Sequence, residues 1–410
     1  MKANFFPQIA ILSVFSTILL MPSASKSDDW SVFRGPQSNG ISLESDWVVP
    51  KSDAPILWKA EVGLGYSAAT VADGKVYLTG HNGTDSDKVF CFDEASGDQI
   101  WVQTYPQPLG DLYFQGGTTG SVTVVGDRLF HIAREGEVFC RNTADGSVVW
   151  QISLQKDLDY KKPTWGFSGA PLPHKDRIYL TAGESGIALN QKDGSIIWKS
   201  DDEEAGYATP YLFEKNGREL LIFTNKRYYN CVDAGTGEKL WEVKWMTRYG
   251  VNAADPIVSG DHIFISSGYG KGATLLKWDG TGEPDTVWKS RDMRTQMNAA
   301  ILIDGYLYAV DGNESADGTS LKCMDMLTGE TQWSDTSIGH GTVSVAGGKL
   351  IVLTEMGELQ IAPVSPKAYT PEFKQNVLKP RIWTVPVMAN GRVYCRNAGG
   401  SLAVLDLRKP

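Results

Sequence analysis

Histidine and cysteine are both scarce, five of each in 410 residues, and no two cysteines are adjacent. Cys91, Cys140, Cys231 and Cys323 each stand ten residues before a Trp, so they share one position in four repeats of the chain. Equivalent points in neighbouring repeats do not come within the roughly 4.4–6.8 Å Cα separation a disulfide demands. With Cys395 the count is odd, and all five are expected to be buried small hydrophobes with no bridge or metal role. Positive charge is also short: 39 Lys and Arg against 48 Asp and Glu leave a net charge of −9. No basic stripe exists for nucleic acid, which is excluded as a partner. Long apolar runs are lacking except at the start, where Lys2 precedes Ile9–Met21 and the small residues of PSAS. That run is short for a membrane span. It predicts a secretory signal peptide over residues 1–25, cleaved after Ser25, and a periplasmic or secreted protein with no membrane span after cleavage. No Cys follows it, so no lipid anchor at a processed Cys is expected.

What the chain has in abundance is one repeated unit. VFCFDEASGDQIW (89–101), VFCRNTADGSVVW (138–150), YNCVDAGTGEKLW (229–241) and LKCMDMLTGETQW (321–333) share an apolar strand, an Asp or Asn, a Gly four residues before the end and a terminal Trp. ALNQKDGSIIW (188–198) is the same unit with Ala for Cys. Alternating apolar residues broken by a Gly-containing turn predict a β-hairpin. A second hairpin precedes most units, as in SAATVADGKVYLTG (67–80) and NAAILIDGYLYAVDG (298–312). Trp58, Trp101, Trp150, Trp198, Trp241, Trp288, Trp333 and Trp383 mark the period, 43 to 50 residues apart. Four short strands per repeat of that length are a propeller blade.

The predicted fold is therefore all-β: an eight-bladed β-propeller of four-stranded antiparallel blades over residues 56–410, preceded by an N-terminal arm over 26–55. Ile56–Ala60 (ILWKA) carries a Trp strand with no hairpin before it, and Ser401–Leu407 (SLAVLDL) is a third strand with no Trp strand after it. Pairing the two completes the C-terminal blade and leaves no open edge. The arm, with Trp30, Arg34 and Trp47, is expected to pack over an outer blade edge or one face. Two blades depart from the pattern in the turn between their third and fourth strands: 275–288 carries two extra residues, and 358–383 a Pro-rich insertion. In the loop at 311–320, Asp311, Asn313, Ser315 and Asp317 alternate as ligands would. Ala316 stands where a calcium loop needs Gly and no Glu follows, so no metal site is expected.

The segments joining one blade to the next circle the axis on one face, and they are rich in aromatic and polar residues. Tyr66, Trp165, Phe167, Tyr207 and Tyr249 recur at similar offsets, joined by Arg248, Asn252, Arg294, Asn298 and His340. Together they describe either a ligand funnel or a plug of the narrow end. His340 has no carboxylate or nucleophile partner apparent in the sequence, so no catalytic residue is assigned.

The repeated D-x-x-T-G-x-x-x-W unit (Asp233, Thr236, Gly237, Trp241; Asp325, Thr328, Gly329, Trp333) resembles that of the pyrroloquinoline-quinone-like (PQQ-like) repeat family, which holds the quinoprotein alcohol dehydrogenases and the shorter, cofactor-free BamB-like propellers. The resemblance covers about residues 56–407. The dehydrogenases carry adjacent cysteines over the quinone, a longer chain and a Glu–Asn–Asp calcium set. The first is missing here and the last cannot be placed. The resemblance thus implies a cofactor-free binding or protein-interaction scaffold, with a protein, small-molecule or glycan partner in the cell envelope. A PQQ- and Ca²⁺-dependent alcohol or polyol dehydrogenase is the alternative, and a carbohydrate-binding module the third reading.

Overall fold

The computed structural model describes residues 1, 29–112, 114–312 and 318–409. Most of the expected signal segment lies outside them, as do Tyr113 and the acidic-loop residues Asn313, Ser315, Ala316 and Asp317. The chain forms eight sheets around an axis, with strands and no helix among the described residues. Blades 1 to 7 run in sequence order over 70–106, 123–153, 172–199, 211–244, 257–290, 301–335 and 342–376. Blade 8 takes three strands from 387–406 and its outermost from Ile56–Glu61, which pairs antiparallel with Ser401–Asp406. The expected seam is closed.

Local chemistry explains the blades. The inner hairpins turn on Asp73-Gly74, Asn216-Gly217, Asp304-Gly305 and Asn390-Gly391, with both residues at positive φ. Such turns match the twist of paired strands. The middle strands are buried along nearly their whole length, as in Tyr306–Asp311 and Ser401–Asp406, because a blade lies against each face. The outer strands instead leave much of their length exposed, as in Val148–Ser153.

The repeated unit is a clasp between blades. Asp233 accepts hydrogen bonds from the backbone of Gly235 (2.9 Å) and Thr236 (3.1 Å), fixing the turn. Gly237, at φ 75°, completes it. A Cβ there would lie 2.7 Å from the Trp198 indole of the preceding blade, so the same glycine also makes room for its neighbour. Trp198 donates its indole N–H to Ala234 O (3.0 Å). Trp58, Trp101, Trp150, Trp288 and Trp333 make the equivalent bond into the following blade. In seven blades a one-residue bulge immediately precedes the Trp. The bulge turns the indole inward and leaves the skipped residue outside; Ile100, Val149, Ile197 and Val287 are exposed for this reason. Trp241 is the variant. The turn it meets is the lengthened one of blade 5, and Trp278 stands there, 5.9 Å away and edge-on.

Four of the five cysteines sit directly opposite a Trp on the adjacent strand. All five are buried free thiols, and burial pushes Cys91, Cys140 and Cys323 up to about 11. They are packing residues, poorly nucleophilic at neutral pH.

Two expectations need correction. Trp383 is not the Trp of an outer strand: blade 7 ends with Phe373–Asn376, Phe373 faces Ile361 without a bulge, and Trp383 lies in the connection to blade 8. The arm also takes another course. Its second half does cross one face to the outer strand of blade 7, where Ala54 exchanges two hydrogen bonds with the Gln375 side chain. Its first half enters the hub instead. Trp30 O accepts from Val71, Ser31 O from Val124 and Gly40 O from Val345, all on innermost strands. Ile41–Ser42 then pairs in parallel with the innermost strand of blade 7. The arm enters beside the inner hairpin turn of blade 1 (Asp73 N to Asp29, 3.1 Å) and leaves beside that of blade 8 (Gly391 N to Glu44, 2.8 Å). It therefore stoppers the axis from the face of those turns.

Candidate functional site

On the opposite face the axis opens into a cavity of about 790 Å³, within the range of small-molecule sites. Seven of the eight blade-to-blade connections contribute. Tyr66, Phe114, Trp165, Tyr207, Tyr249 and Trp383 form the wall, with Tyr269 from the middle turn of blade 5 and Phe33 from the arm at the floor. Between them stand hydroxyl and amide groups: Thr119, Ser121, Thr164, Ser168, Thr209, Gln296, Asn298 and Thr384. Among the described lining residues the one ionisable carboxylate is Asp255 and no Lys, Arg or His takes part.

Five of the ten residues singled out in the sequence meet here: Tyr66, Trp165, Tyr207, Tyr249 and Asn298. The other five lie elsewhere. Phe167 is in the core between blades 2 and 3. Asn252 is buried and tied by its amide to Asn225 O (2.9 Å) and Trp245 O (2.8 Å), holding a connection in shape. Arg294 grips Asp311 with two bonds of 3.1 and 3.0 Å. Asp311 also meets Lys322, so this carboxylate is committed to an ion pair. Arg248 is exposed, its guanidinium over the Tyr249 ring. His340 is buried behind the wall, edge-on to Trp383 at 5.9 Å, and burial holds its pKa below the usual imidazole value. It is a neutral packing group, away from the cavity surface.

Trp383 is the residue that periodicity misassigned. Tyr66 stacks on it at 5.3 Å, and Arg381 lies 4.9 Å from its ring centre. Trp165 and Tyr207 meet edge-on at 6.0 Å, so two pairs of rings are set in fixed geometry.

The floor is an ion pair. Arg34 of the arm reaches Asp255 (3.4 Å) and donates to Ala300 O (2.7 Å); both side chains are under one-tenth exposed. Asp255 also accepts from Thr209 N at 2.8 Å. Burial raises the Asp255 pKa, with Arg34 opposing.

Behind the wall lies a second buried acid. Asp87, in blade 1, is pushed up to about 7, first by burial, against the Tyr105 hydroxyl and the charges of Arg134 and Arg396. A carboxyl raised on folding contributes stability that is complete below its unfolded value near 4 and is lost as pH rises through about 7. The Asp87→Asn variant has no charge to bury. Relative to the native protein it will gain on the order of 4 kcal/mol between pH 4 and pH 8; thermal unfolding across that window reads the difference. Parallel pH profiles for the two proteins would show that the carboxyl is solvated.

A family model described as outer membrane protein assembly factor BamB matches residues 85–319 and 316–409. The chain belongs to this PQQ-like β-propeller family. A relative of the same description from Burkholderia pseudomallei (strain K96243) is 26% identical over 353 residues, covering 75% of this chain and 87% of its own. Among solved structures, BamB from Moraxella catarrhalis superposes with a TM-score of 0.63 at 16% identity, covering 88% of this chain and 99% of that one. A europium-containing methanol dehydrogenase gives 0.69 at 12%, covering 93% and 98%. At these identities the solved structures share the fold.

PQQ-like propellers include quinone enzymes, so the cavity can be tested for such a cofactor. Calcium asks for several converging oxygen ligands, carboxylates chief among them. The cavity offers Asp255, already satisfied by Arg34 and Thr209. No group of three or more His, Cys, Asp or Glu is placed to share an ion among the described residues. The residues present do not fit a calcium-bound quinone.

Proposed function

We propose that the protein is a non-catalytic binding and interaction scaffold of the cell envelope, exported through residues 1–25 and working in the periplasm or outside the cell. The observation that supports this most is the pairing of a rigid, fully closed ring with a deep cavity that lacks an acid–base pair, a nucleophile or a metal-ligand set among its described residues. Rigid rings with variable loops suit recognition. Relatives named for outer-membrane protein assembly make an assembly step in the envelope the natural setting.

Two measurements test it. Reconstitution with PQQ and Ca²⁺ is expected to give no dye-linked alcohol oxidation; activity lost on chelation would establish the dehydrogenase reading instead. Removing the protein from its native cell is expected to lower outer-membrane protein levels, with crosslinking in intact envelopes recovering assembly components. Unchanged levels, together with an absence of crosslinked partners, would sink the scaffold.

A further inference from the structure

We infer that the axial cavity is a binding site for a neutral saccharide. This rests on the reading of the protein as a binder, and names what its cavity takes. The first observation is the absence of usable charge. The cavity's carboxylate, Asp255, is occupied from beneath by Arg34, and the described lining holds no cation. An anionic ligand would find no cation among the lining residues, since the Arg248 and Arg381 guanidiniums lie against the Tyr249 and Trp383 rings, and a cationic one would find its acceptor taken.

The second observation is how the hydroxyls are committed. Thr119 donates to Phe167 O (3.2 Å) and Ser168 to Tyr207 O (3.3 Å), leaving acceptor lone pairs. Ser121 instead accepts from Ala68 N (2.9 Å) and Thr209 from Ala170 N (3.2 Å), leaving their hydroxyl protons to donate. The same wall thus offers donors and acceptors side by side, with no net charge. A ligand that is itself donor and acceptor at every polar atom satisfies both, which describes a polyol.

The third observation is the aromatic component. Flat rings with polar edges present faces for C–H groups, and a sugar ring has apolar faces and a hydroxylated rim. A lipid chain would leave the hydroxyls unmatched. The volume matches a ligand of oligosaccharide size. Trp165 and Tyr249 are the accessible rings at the mouth; Tyr249 is 48% exposed.

The test is calorimetric titration of the full mature protein with neutral di- to tetrasaccharides built on glucose, mannose and N-acetylglucosamine, beside their uronic-acid counterparts and an apolar peptide. At least one neutral oligosaccharide is expected to saturate, with an affinity insensitive to salt. Trp165→Ala is expected to weaken it tenfold or more with unchanged melting, and Tyr249→Ala, on an exposed ring, serves where the first variant is destabilised. Failure of every neutral sugar to bind, preference for the acidic series, or binding untouched by either substitution overturns the inference. Peptide binding lost on Trp165→Ala also overturns it, while leaving the scaffold reading intact. Dye-linked oxidation in the separate assay would remove the scaffold reading itself.

Discussion

A chain shortened to begin at Val62 will fail to unfold as a cooperative unit and will aggregate, whereas one beginning at Leu43 will stay folded with a lower melting temperature. The first lacks Ile56–Glu61, the strand that covers Ser401–Asp406. Without it blade 8 presents an open edge whose residues Leu402 to Leu405 are wholly buried in the intact ring. Such an edge is a template for pairing with another molecule. Trp58 goes as well, and with it the bond to Glu94 O that ties blade 8 to blade 1. Removing one buried Trp side chain costs about 3–5 kcal/mol, a large part of the ~5–15 kcal/mol that a folded domain has in total. The second chain keeps the seam but loses the hub segment with its buried Trp30 and the Arg34–Asp255 pair, so it melts far below the native protein yet still in one cooperative transition. Calorimetry and light scattering on the two distinguish the cases, and equal melting of both would mean that the seam does not hold the ring.

Arg34→Ala will destabilise the protein by about 3–5 kcal/mol. The substitution strands Asp255 below the cavity with Thr209 N as its remaining bond, and removes the donor to Ala300 O. The carboxyl is already raised by burial; without its cation it takes up a proton more readily still. The loss is therefore largest at alkaline pH and shrinks as pH falls. Arg34→Met combined with Asp255→Leu is expected to recover most of it, since an apolar pair of similar volume leaves no buried charge. Chemical unfolding of the single and double variants at two pH values settles this. A single-variant loss under about 1 kcal/mol would mean the pair is solvent-screened.

The ring was legible because its signal is repeated and local. Each Asp, Gly and Trp answers a need within its own turn or the next blade, so spacing alone carries the information. Trp383 shows where that fails. It lies 50 residues after Trp333, close to the period, because the Pro-rich insertion in blade 7 fills the distance. The strand that ends the blade is Phe373–Asn376, and its aromatic is a Phe. What separates a rim indole from this cavity indole is where the outer strand ends, at Asn376 and ahead of Trp383, a three-dimensional feature. The course of the arm was hidden for a related reason. Arg34 and Asp255 are 221 residues apart, and nothing near either names the other. For the cavity, residue type pointed to the right connections but not to the direction of each side chain. Asn252 and Phe167 belong to the same segments as Tyr249 and Trp165 and turn the other way, into the protein.

The hub stopper and the closing strand have a consequence for biogenesis. Both lie ahead of blade 1 in the chain, and the partners of the closing strand are made only after the other seven blades; Glu61 and Ser401, joined at the seam, are 340 positions apart. Neither segment can reach its final place until blades 7 and 8 have emerged. Assembly of the growing chain therefore stops at an open arc, and maturation ends in a late, long-range locking step that is slow for its topology. Until then the nascent chain holds two sticky ends, a period in which a chaperone has something to guard.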